Sequence, residues 1–128
     1  MVSYWLPVVT SKTHADKIYW MPDVSEQVVC LMDELDEAGA VLGAIYSTPD
    51  PPPVASPYKL HLSFKDGSSI EYDRASHSLT ISLCDGASVA VTAPGGITLR
   101  SGDSFVSIQT GGVTISPPLP TSSTVAQT

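Results

Sequence analysis

Through most of its length the chain alternates apolar and polar residues with the period of a pleated strand. Residues 27–32 and 40–46 are short apolar runs rich in β-branched side chains. The acidic "DELDEAG" between them ends in glycine, which predicts a hairpin with a solvated loop. Trp5, Tyr19 and Trp20 supply most of the large aromatic bulk here, as the core of a small barrel or sandwich requires. Residues 47–57, "STPDPPPVASP", then place five prolines in eleven positions. Proline fixes φ and lacks an N–H donor, so this stretch predicts a stiff, extended connector rather than a strand. Beyond it "KLHLSF" and "SIEYD" flank an Asp66-Gly67 turn, a strong hairpin signal. "SLTISL", "SVAVTA", "GITL", "FVSI" and "GVTIS" follow as short strands separated by Asp85-Gly86, Gly95-Gly96, Ser101-Gly102 and Gly111-Gly112.

Regular short strands with turn signals usually mean a sandwich or barrel. The side chains argue otherwise. Beyond Leu83 the apolar residues are Val, Ile, Leu and Ala with Phe105 as the single aromatic, while Ser and Thr fill most alternate positions. A sandwich spans about 10 Å between sheets and needs larger fillers. A slender core where strands of several chains meet suits the pattern better, because each copy then contributes only a thin apolar strip. "GGITL" and "GGVTI" repeat this unit sixteen residues apart, and the paired glycines predict sharp corners. The phase adds a detail: Ile97 and Leu99 are odd, Val106 and Ile108 even, Val113 and Ile115 odd again. The turn from Ser101 to Ser104 must therefore reset the register, with Phe105 facing outward or lying at a corner.

Composition narrows the function classes. The chain has 128 residues, enough for one ordinary domain, and 42% are apolar, so disorder is not the default. Acidic residues crowd the first fifty positions, whereas residues 75–128 hold only Asp85, Arg100 and Asp103 as charges. A formal net charge of −7 without a Lys/Arg cluster lacks the footprint of nucleic-acid binding, so no nucleic-acid partner is expected. The N-terminal residues carry no signal-peptide pattern, and no window of about 18 apolar residues occurs, which predicts a chain made in a cytoplasm. Cys30 and Cys84 are expected as reduced, partly buried thiols.

Candidate chemistry is sparse. The cluster Asp33, Glu34, Asp36 and Glu37 does not fit the ligand spacing of an EF-hand loop. His14, His61 and His77 are far apart, with no metal-ligand pair among them; His61, between Leu60 and Leu62, is expected to point outward. Glu71 and Asp73 share a strand face, but adjacent Arg74 reads as part of a surface charge cluster. No nucleophile elbow or phosphate loop is present. No catalytic, cofactor-binding or metal-binding residue is expected.

Three motifs in order, "WMPDVSEQVVCL" (residues 20–31), "VLGAIYSTPDPPP" (41–53) and "FKDGSSIEYDRASHSLTI" (64–81), resemble the phage baseplate assembly protein V family. Its members form the central spike of Mu-like contractile tails and are related to spikes of tailocins and type VI secretion systems. The resemblance covers about residues 5–116. It implies an all-β chain: an OB-fold barrel over residues 1–47, a proline-rich neck over 48–58, and a trimeric, intertwined triple-stranded β-helix over 59–116. A polar tail or cap follows over 117–128. Ser25 stands where the family usually has glycine. The family's N-terminal helix and early barrel strands have no counterpart before Trp5, so the N-terminal part of the barrel is expected to be missing. The apical H-x-H iron site of some members is absent as well. The implied partners are two further copies, the tail hub and other baseplate proteins, a separate tip protein, and transiently the host outer membrane. The competing reading is a monomeric β-sandwich binding carbohydrate or another ligand through Trp5, Tyr19 and Trp20. A small secreted hydrolase would need a nucleophile or metal set that the sequence does not offer.

Overall fold

The computed structural model describes residues 5–118. It is all-β: eight short strands, and no helix among the described residues. The chain divides into two units, Met1–Ser82 and Leu83–Thr128. The expected polar tail lies, from residue 119 on, outside the described residues.

In the first unit, β1 (Val28–Met32) and β2 (Gly39–Ala44) form an antiparallel hairpin with an irregularity between Val29 and Cys30. The Val8 segment joins the edge of β2 in parallel: the Val41 N–H donates to the Pro7 carbonyl (2.9 Å) and the Val9 N–H to the Val41 carbonyl (2.8 Å). The acidic loop is closed from within. Asp33 Oδ1 accepts the N–H groups of Leu35 (3.2 Å) and Glu37 (3.0 Å), which draws its carboxyl below the usual aspartate range.

The same unit holds the meander β3 (Lys59–Ser63), β4 (Ser69–Asp73) and β5 (Ser78–Ser82). Its first turn is the expected Asp-Gly turn. The Phe64 N–H donates to the Ser68 carbonyl and the Gly67 N–H to the Phe64 carbonyl, with Gly67 at φ +91° closing the loop. The β1–β2 hairpin and this meander are separate sheets.

The second unit holds a second meander: β6 (Ile97–Ser101), β7 (Ser104–Gln109) and β8 (Gly112–Ser116). Two-residue loops join its strands, and in the first of them Gly102 leads at φ +58°, as a primed hairpin turn requires. Of the paired glycines, the second of each takes the left-handed region, Gly96 at +119° and Gly112 at +142°.

One expected strand is corrected. "SVAVTA" forms no ladder with the described residues: residues 88–92 run outside any strand, and no backbone hydrogen bond joins them to a described residue. Alternation gives a segment its two faces, but a strand also needs a neighbour, and none of the described residues supplies one.

Candidate assembly surface

The registers determine which side chains share a face. In the first meander Leu60, Tyr72 and Leu79 stand opposite one another, and so do Leu62, Ile70 and Ile81. Six apolar side chains therefore form one continuous face. The other face carries the rows Lys59–Asp73–Ser78, His61–Glu71–Thr80 and Ser63–Ser69–Ser82. The second meander repeats the arrangement. Ile97, Ile108 and Val113 form one apolar row and Leu99, Val106 and Ile115 the next, with Thr98, Ser107 and Thr114 behind them.

That registry explains the phase reset. A two-residue antiparallel loop pairs each odd residue with an even one, as in Ile97 with Ile108, so the apolar strip changes parity at every turn yet stays on one face. Phe105 falls on the hydroxyl face, as expected of an outward residue. The Arg100 guanidinium lies 4.8 Å from its ring centroid, a cation–π contact that sequence spacing did not signal.

Burial is inverted on the first meander. Leu60, Leu79 and Ile81 are 67%, 64% and 58% exposed, whereas the side chains of His61 and Glu71 are only 16% and 24% exposed. Charged groups are normally the exposed ones. His61 does not point freely outward, which corrects the sequence expectation. Its Nδ1 lies 3.0 Å from Glu71 Oε1, and Lys59 Nζ lies 3.4 Å from the same oxygen. These groups satisfy one another across the two strands. Glu71 and Asp73 do share a face, but Arg74 turns instead to Tyr58, 5.0 Å from its ring centroid.

On the second meander Leu99, Val113, Ile108 and Ile115 are all exposed, and a groove of about 390 Å³ is lined by Leu99, Val106 and Ile115 together with Arg100, Phe105 and Pro117. Among all described residues no hydrophobic side chain is fully buried. A chain that is 42% apolar thus encloses no core of its own among those residues. Since burying a Leu, Ile or Val side chain is worth about 1.5–3 kcal/mol, these two largely exposed apolar faces are candidate surfaces for a partner.

The other sequence candidates do not converge. Trp5 and Tyr19 are exposed, while Trp20 stacks on Phe64 with centroids 5.9 Å apart. Cys30 is exposed on β1 and Cys84 half-buried, both as thiols. His77 sits in the β4–β5 turn at φ +56°, and Ser25 takes φ +74°, a conformation natural to glycine. Among the described residues no three His, Cys, Asp or Glu side chains are grouped as metal ligands would be.

No protein-family model matches the chain. It is similar to the spike protein of Escherichia phage P2, 41% identical over 100 residues, an alignment covering 77% of this chain and 46% of that protein. The chain thus spans about half the length of the curated relative it matches.

Proposed function

Because the chain belongs to the phage baseplate spike family, we propose that it is the spike of a contractile phage tail or tailocin: a homotrimeric needle that joins the tail hub and pierces the host outer membrane during contraction. The observation that carries this reading is the pair of meanders whose apolar faces are continuous, charge-free and largely exposed in the single chain. Three copies around one axis cover such strips without bulky fillers. In this reading residues 1–47 belong to an OB-fold barrel at the hub, 48–58 form the neck, 59–116 the triple-stranded β-helix, and 117–128 a polar tail or a cap under a separate tip protein.

Its work is mechanical, and no residue needs to do chemistry. Bending a shaft of intertwined chains requires many ladder hydrogen bonds and buried side chains to break together, so axial force from sheath contraction is transmitted rather than dissipated. The hydroxyl-rich outer face of the second meander keeps the shaft soluble while limiting the desolvation cost of crossing a bilayer. The protein is assembled in the host cytoplasm and resides in the virion baseplate. Light scattering on the purified chain tests the reading: a trimeric mass that survives SDS or heat is expected. A monomer at micromolar concentration overturns it.

A further inference from the structure

We propose that Asp85-Gly86 is a site of backbone modification, where the aspartate carboxyl closes on the next amide nitrogen and reopens as isoaspartate. The site belongs to each chain by itself, whatever the assembly. The sequence contains no asparagine, the residue that enters this chemistry by losing ammonia, and has two Asp-Gly steps, Asp66-Gly67 and Asp85-Gly86. Glycine lacks a Cβ, so its nitrogen meets a neighbouring carboxyl with the least hindrance. In the first step both reacting groups are held. Asp66 Oδ1 accepts the N–H of the buried Ser68 at 2.8 Å, and the Gly67 N–H donates to the Phe64 carbonyl at 3.0 Å. The second step is arranged differently. Its turn is closed by the Ala87 N–H, which donates to the Cys84 carbonyl at 3.1 Å and leaves the two central residues outside the bond. Asp85 and Gly86 are both exposed, and among the described residues no hydrogen bond engages the Asp85 carboxyl or the Gly86 N–H. Gly86 takes φ +84°, and even a Cβ there would meet nothing within 4 Å, so there is room for a ring.

The Gly86 nitrogen attacks Cγ of the Asp85 carboxylic acid, a C–N bond forms, and the acid's hydroxyl oxygen leaves as water with the proton from the nitrogen. The product is a cyclic imide. Water then adds to either ring carbonyl and breaks its C–N bond: opening at Cγ restores aspartate, whereas opening at the α-carbonyl gives isoaspartate. A water leaves and a water enters, so no oxidant or other reactant is required. In isoaspartate the main chain runs through Cβ and Cγ, which lengthens the backbone by a single atom and frees an α-carboxylate. That carboxylate is the group that an S-adenosylmethionine-dependent carboxyl methyltransferase of the repair class takes as substrate. The added atom falls in the first turn of the second unit, which begins at Leu83.

The test ages the full folded chain beside the same chain unfolded in guanidinium, and locates isoaspartate by enzymatic transfer of a labelled methyl group followed by tryptic mapping. Unfolded, the two steps should react alike. Folded, Asp66 should react at least about tenfold more slowly than Asp85, because its hydrogen bonds must first open. The tryptic peptide 75–100 has Asp85 as its only aspartate, so label on it reports this site alone. Asp85→Glu keeps the charge but lengthens the side chain, which disfavours ring closure, and should remove that label. A folded chain that labels neither step, labels both equally or labels Asp66 the faster overturns the inference, as does label persisting on peptide 75–100 of Asp85→Glu. Each outcome reads the same in a monomer and a trimer, so it is decided separately from the spike reading.

Discussion

The two three-stranded meanders share a plan and differ in what stands behind the apolar face. In β3–β5 the polar side holds Lys59, His61, Glu71 and Asp73, with an ion pair and a charge-assisted hydrogen bond meeting at Glu71. In β6–β8 it holds Thr98, Ser107 and Thr114, with Arg100 over Phe105 as its charge–aromatic contact. The first meander therefore has an internal source of order on its polar side. The second has its ladders, that one contact and whatever covers its valines and isoleucines. Stability of the second should depend on assembly more steeply, and that difference can be broken experimentally.

The largest effect is expected from charge on the apolar side of the second meander. Val106→Asp puts a carboxylate in the middle of a row that is uncharged in every copy, and burying such a group without a partner costs several kcal/mol. Loss of the trimer is expected in native mass measurements. Ser107→Asp, one residue on and on the hydroxyl face, should keep it. Equal tolerance of both substitutions would mean that the apolar face stays wet. Next in size are the corners. Gly96 takes φ +119°, and a Cβ there would lie 3.2 Å from the Ile108 carbonyl oxygen, whereas a Cβ at Gly95 meets nothing within 4 Å. Gly96→Ala should cost about 1–3 kcal/mol per chain. Gly95→Ala should be nearly silent, and thermal unfolding of the two variants side by side decides the point.

How much of this was legible in the sequence follows from the range of each signal. The Asp66-Gly67 turn, the glycine corners and the phase reset at 101–104 are local, since a few residues determine them, and the structure bears them out. Ser25 carried no local signal of this kind: only the family resemblance marks its position as one for glycine, and it takes φ +74°. His61 was misread because alternation with Leu60 and Leu62 tells only its face, while its partner Glu71 comes from the next strand. "SVAVTA" was misread for a related reason. Alternation records that a segment can pair, and not whether its own chain provides the pairing edge. The thin apolar strips were readable from the small side chains, but the inverted burial of leucines and charges needed the structure.

On the first meander the effects should be smaller. Glu71→Gln leaves hydrogen bonding to His61 possible but removes the carboxylate shared by His61 and Lys59, a partly covered set worth about 1–2 kcal/mol. The apolar face stays intact, so the trimer should persist with a lowered melting temperature, and a variant that dissociates would show that the polar side also carries the assembly. Smaller still is the response to acid. Asp73 Oδ1 accepts the Ala75 N–H at 2.9 Å, and with Ser76 and the charge of Lys59 this holds its carboxyl below the ordinary aspartate value. A group whose folded pKa is lowered contributes stability above its unfolded value, near 3.9, and loses that contribution as pH falls through the folded one. The turn at residues 74–77 should therefore open more readily below about pH 4. Asp73→Asn should abolish that pH dependence while keeping an acceptor for Ala75. The β6–β7 turn is set by the geometry of Gly102, which does not titrate. Exchange rates in the two turns should diverge as the solution is acidified, and parallel acceleration in both would mean that acid opens both meanders rather than this one turn.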